Sequence, residues 1–122
     1  MKNAINWFEI PTTDFERGVK FYNTILKTEM HTTEMGDGQM AFLPADQGAL
    51  GGAVVKFPHQ TPSDKGTMVY LNGGEDLSEI LARVEPAGGK IVLPKTMVTP
   101  EIGYCAVFRD PEGNHVALHS PK

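Results

Sequence analysis

A single cysteine stands in this chain of 122 residues. Cys105 therefore has no partner for an internal disulfide, and the fold must hold without covalent staples in a compartment that need not be oxidising. Basic charge is also sparse. The 11 Lys and Arg residues are scattered and outnumbered by 15 Asp and Glu, leaving a net charge of -4. Polyanions are bound by concentrated basic stripes, so nucleic acid is not an expected partner. No run approaches the roughly 20 consecutive apolar residues that a membrane-crossing helix needs. The opening residues, MKNAIN, lack the unbroken apolar stretch of a secretion signal. These absences describe a cytoplasmic protein that meets neither nucleic acid nor membrane.

What is present is an ordinary globular balance, 40% apolar and 21% charged. A chain of this length makes one domain, here 1–122, with a genuine hydrophobic core. "INWFEIP" (5–11) alternates like a strand. "TTDFERGVKFYNTIL" (12–26) follows, with Phe15, Val19, Tyr22, Ile25 and Leu26 at helical spacing and a capping-box pattern at Thr13 and Glu16. "TEMHTTEM" (28–35), "QMAFLP" (39–44) and "GGAVVKF" (51–57) read as short antiparallel strands around the turn Gly36-Asp37-Gly38.

The polar stretch "PHQTPSDKG" (58–66) reads as a linker, and then the order repeats. "TMVYLN" (67–72) is a strand. Asp76 and Glu79 begin a helix striped by Leu77, Ile80, Leu81 and Val84, and Gly88-Gly89 ends it. "KIVLPKTMV" (90–98), "YCAVFR" (104–109) and "HVALHS" (115–120) complete the second half. The expected class is α+β: two βαβββ modules, 4–57 and 67–120, forming a cupped eight-stranded mixed sheet with the helices outside. The helices are expected near 14–26 and 77–87.

"EIPTTDFERGVKFYNTIL", "VEPAGGKIV" and "FRDPEGNHVALHS", in this order, resemble the vicinal oxygen chelate superfamily of glyoxalase I, bleomycin-resistance proteins and extradiol dioxygenases. Among relatives the chain looks most similar to uncharacterised glyoxalase-related proteins. The resemblance spans Ile5 to Ser120 and implies the fold. It leaves the reaction open, since one fold hosts many chemistries.

The resemblance also implies four metal-ligand positions, which fall on Trp7, Met68, Ala117 and a small residue near Gly51 to Ala53. An indole and a methyl group give a hard cation nothing, and a thioether suits only soft metals. No metal is therefore expected at the usual site, although a divalent metal held by Glu9 and His119 stays open as an alternative. The period of two along a strand turns Trp7, Glu9, Met68, Tyr70, Asn72, Ala117 and His119 towards the cup.

Glu9 and His119 are the candidate acid and base, expected within reach of one another. Burial and mutual charge would tune both for proton transfer. A structural pair that only satisfies buried polarity reads equally well from the residues. Trp7, Met68, Tyr70, Asn72 and Ala117 are the candidate substrate wall. His115 is expected at the rim, His31 and His59 on exposed segments, and Cys105 as a small buried hydrophobe. The preferred function is a glyoxalase-related lyase or isomerase acting on a small molecule. The alternative is a non-catalytic binding protein of bleomycin-resistance type, and in either case a homodimer is expected.

Overall fold

The computed structural model describes residues 3–122. Strand β1 (Trp7–Pro11) leads into helix α1 (Phe15–Leu26), and β2 (Thr32–Met35), β3 (Gly38–Phe42) and β4 (Gly51–Lys56) follow. The second half runs β5 (Tyr70–Asn72), α2 (Ser78–Val84), β6 (Lys90–Thr99), β7 (Gly103–Arg109) and β8 (His115–Ser120). The expected α+β class and the repeated order are present. The eight strands divide into two four-stranded sheets, ordered β1-β4-β3-β2 and β5-β8-β7-β6. In each, the first and last strands of a module pair in parallel, and the others pair antiparallel.

Several element ends differ from the expected ones for local reasons. Asp14, rather than Thr13, caps α1: its backbone is extended and its carboxylate accepts the Arg17 N–H. Lys27 closes α1 in the left-handed region at φ 51°, and the Asn23 side chain accepts the Met30 N–H. Residues 28–30 are thereby tied to the helix end, and β2 begins only at Thr32. Helix α2 starts without a side-chain cap of its own first turn, the Asp76 carboxylate instead accepting from Ser78 N–H and Lys95. It stops at Val84 because Pro86, lacking an N–H, cannot continue the ladder. Strand β5 spans Tyr70–Asn72, shorter than its expected run.

One core joins the modules. Phe15, Phe21, Tyr22 and Ile25 of α1 share it with Ile10 and Val54, with Leu81 and Val84 of α2, and with Phe108, Val116 and Leu118 of the second sheet. Each such aliphatic or aromatic side chain contributes about 1.5–3 kcal/mol on burial. The turn between β7 and β8 locks onto α1. Asp110 is buried and accepts from the Tyr22 hydroxyl at 2.8 Å, from two backbone N–H groups and from Asn114. Burial first, then the Asp110 charge, pushes the Tyr22 phenol well above its usual range, so it stays a donor.

Glu112 accepts from the backbone of Thr13 and Asp14, from the Thr13 hydroxyl and from Arg17. Burial alone would raise its pKa, but those hydrogen bonds outweigh it and hold the carboxyl below its ordinary value.

Candidate functional site

Core packing decides which strand faces are left for function. In β1, Phe8 and Ile10 pack towards the helices, leaving Trp7 and Glu9 on the opposite face. In β5, Leu71 enters the core, and Tyr70 and Asn72 take the other side. In β8, Val116 and Leu118 enter it, leaving Ala117 and His119. The parity read from the sequence holds for these strands. It distributes the candidate residues over two separate sheet faces.

On the first sheet, Glu9 accepts the Trp7 indole N–H at 3.3 Å and the Gln60 amide N–H at 3.1 Å. Met40, Ala53 and Val55 form a small buried cluster beside it, with Phe42 and Phe57 packed on top. The ring of Trp7 meets Phe42 edge to face, 6.2 Å between centroids. Phe57, read from sequence as the end of a strand run, and Gln60, read as part of a plain linker, thus belong to this face.

On the second sheet lies an open hollow of about 690 Å³, whose wall includes Tyr70, Asn72, Val98, Ile102, Cys105 and His119. His119 Nε2 lies 2.6 Å from the Ile102 carbonyl oxygen. A carbonyl only accepts, so Nε2 carries the proton and a neutral ring leaves its Nδ1 lone pair free. Across the sheet, Asn72, His119 and Cys105 are register partners on three adjacent strands. Ala117, fully buried, lies in register between Tyr70 and Val107.

Two expectations need correction here. Glu9 and His119 make no direct contact: among the described residues they form neither a hydrogen bond nor an ion pair with one another, each having the partners just given. The physical reason is the division into two sheets, with β1 and β8 pairing to different neighbours. Cys105 is not a buried hydrophobe but half-buried in the hollow wall. Ala106 and Phe108 occupy the core face of β7, so Cys105 and Val107 share the uncovered one. That alternation is legible in "YCAVFR", and it was the covering of the face that sequence could not supply.

The remaining candidates are exposed or peripheral. Trp7, Met68 and Tyr70 are 43%, 38% and 59% exposed, too open for a closed apolar pocket within one chain. His115 is half-buried in register with Arg109, His31 stacks on Phe42, and His59 lies against Phe57.

The positions that the fold would use for a metal do not fit one. Trp7 spends its only polar group on Glu9, while Ala53 and Ala117 present buried methyl groups. Among the described residues no three His, Cys, Asp or Glu side chains converge as a metal would need.

A family model described as the Glyoxalase/Bleomycin resistance protein/Dioxygenase superfamily matches residues 4–118. Among solved structures, a glyoxalase I variant from Zea mays is similar over 94% of this chain, with a TM-score of 0.72 and 24% identity. This chain spans only 45% of that maize protein. An antibiotic binding protein from Streptomyces is similar over 98% of this chain and 97% of its own, with a TM-score of 0.67 and 24% identity. A glyoxalase/bleomycin resistance protein from Albidiferax ferrireducens matches over 95% and 97%, with a TM-score of 0.70 and 16% identity. At these identities the likeness is one of fold. Among curated proteins none matches the chain significantly. Among the described residues no helix is long and apolar enough to cross a membrane.

Proposed function

The chain belongs to the glyoxalase/bleomycin resistance protein/dioxygenase superfamily, and from that premise we propose that it binds a small organic molecule in the hollow of the second sheet. The observation that carries this reading is the lining of that hollow, in which the Tyr70 ring, Val98 and Ile102 stand with the polar Asn72 and His119. Apolar walls supply affinity, and a few fixed polar groups supply orientation. His119 is suited to accept a hydrogen bond through Nδ1, because Ile102 already engages Nε2. The antibiotic binding relative of the same fold and length supports a sequestering role.

A homodimer is part of this proposal. Tyr70, Val98 and Ile102 are each 47% exposed or more, around one hollow, and Met97 beside Val98 is 51% exposed. Large apolar side chains gathered on an open face favour a covering partner. The maize relative, of which this chain matches less than half, gives room for two such units in one chain. A lyase or isomerase reading rests on the same assembly. Within one chain Glu9 and His119 lie on different sheets and make no direct contact, so an acid–base role for the pair is proposed through a second copy whose first sheet meets this second sheet. No divalent metal is proposed at either position.

A thermal-shift screen of small antibiotics, ketones and aromatic acids tests the reading. Ligand present at 100 times its Kd raises stability by about 2.7 kcal/mol. Stabilising compounds should lose their effect with His119→Ala and keep it with His115→Ala, with or without a chelator. Stabilisation indifferent to His119, or abolished by chelator alone, would sink the proposal.

A further inference from the structure

Outside the hollow, Gln60 is the side chain whose chemistry is incomplete. Among the described residues its Oε1 is the buried side-chain atom left without a hydrogen-bond partner. An unmet buried acceptor costs on the order of 1–3 kcal/mol, and rotating the amide does not cure it. The Gln60 Nε2–H donates to Glu9 Oε1 at 3.1 Å. A flip would press two acceptor oxygens together whenever Glu9 is ionised. The contact with Glu9 thus holds the orphan in place.

The backbone that carries Gln60 is seated at both ends. Its own N–H donates to the Phe57 carbonyl at 3.2 Å, closing a turn. The ring of Phe57 lies where a Cβ on Gly38 would come within 2.3 Å of it, so only glycine at 38 admits the ring. Phe57 also packs on the cluster of Met40, Ala53 and Val55. Beyond Gln60, the Ser63 N–H donates to Asn114 at 3.1 Å. Between these anchors the middle of the segment reaches the carboxylate through one side chain that is itself poorly satisfied. Displacing that side chain sacrifices one hydrogen bond and relieves the orphan, whereas displacing the strand beneath would break a ladder.

Resting on the small-molecule reading above, we propose that Gln60 occupies the place on Glu9 that a ligand's N–H donor takes, and that residues 58–61, beyond the Phe57 anchor, form a strap which such a ligand displaces. The ligand class this selects is a primary amine on an aromatic body. Its ammonium group replaces the amide donor with a charged one. Its ring lies against Trp7 and Phe42, the aromatic pair beside the carboxylate.

Benzylamine titrated against the full chain reports through Trp7, the single tryptophan, whose indole N–H shares the Glu9 carboxylate. Removing a self-contact raises apparent affinity by the inverse of the fraction of chains already open, so Gln60→Ala should bind about tenfold tighter than wild type. Glu9→Gln in that background should abolish the response. Saturating benzylamine should also speed hydrogen exchange at residues 59–61 of the wild type while Phe57, β1 and β4 stay protected, a readout that needs no variant. Equal affinity in wild type and Gln60→Ala, lost with Glu9→Gln, would overturn the strap and leave a binding site at Glu9 standing. No saturable response in any variant would overturn the proposal at Glu9, and the His119 screen would still decide the hollow independently.

Discussion

Glu112 shows how one side chain can join two halves of a molecule. It lies in the turn before β8, yet its carboxylate accepts from the backbone N–H groups of Thr13 and Asp14, just ahead of α1, and pairs with Arg17. Those hydrogen bonds hold its folded pKa below the ordinary 4.5 despite the opposing effect of burial. A depressed carboxyl pKa contributes stability that is complete above the unfolded value and is lost as pH falls through the folded one. Glu112→Gln should therefore lower stability at pH 7, by on the order of 1 kcal/mol from the weakened helix-end contacts. The gap to wild type should close as the pH falls below about 4.5. Urea unfolding at a series of pH values measures this; a gap independent of pH would show that the carboxylate charge is irrelevant there.

At the scale of elements, the ends of helices carry the local strain. Lys27 closes α1 at φ 51°, and it is the non-glycine residue with positive φ among the described ones. Its N–H is still used, donating back into the last turn of the helix. Only the side chain resists this conformation, since Cβ crowds the carbonyl in the left-handed region. Lys27→Gly keeps the hydrogen bonds and removes that crowding, at the expense of a more flexible unfolded chain. We expect a net gain of about 0.5–1 kcal/mol, read as a higher melting temperature with an unchanged fold. A loss of stability would show that the Lys27 side chain makes a contribution larger than the strain. The glycine at 52 is a contrasting case, because a Cβ there would meet the Phe8 ring at 2.5 Å.

For the whole molecule, the decisive feature is that one core serves both modules while each sheet keeps a face away from it. The first face is partly closed by Phe57 and Gln60, and the second is open around Tyr70, Val98 and Ile102. A stable pairing of copies removes about 800 Å² from each partner. Light scattering at micromolar concentration should therefore report a dimer. Met97→Lys combined with Val98→Glu should shift it to monomer without unfolding, because both side chains are about half exposed in the single chain. A monomeric wild type would remove the homodimer, and with it the only assembly proposed for a Glu9–His119 pair.

The sequence by itself determined the repeat, the helix stripes and the faces of the strands. Alternation in "NWFEIP" and "HVALHS" assigned Glu9 and His119 to the faces away from the helices, and the structure keeps both there. That much follows from a side-chain period fixed by backbone geometry, which needs no knowledge of neighbours. Tertiary structure alone decided what each face meets. Parity cannot say which partner a side chain finds: Glu9 and His119 read as a pair, whereas in the folded chain Glu9 is engaged by Trp7 and Gln60 and His119 by the Ile102 carbonyl. Cys105 read as buried because its alternation was visible and the missing cover was not. Gln60 carried no signal at all, since a glutamine in a polar stretch acquires meaning only when the chain folds back onto a carboxylate 51 residues away. Periodicity is a property of the local backbone, whereas proximity depends on how the whole chain closes, and the candidate site depends on proximity.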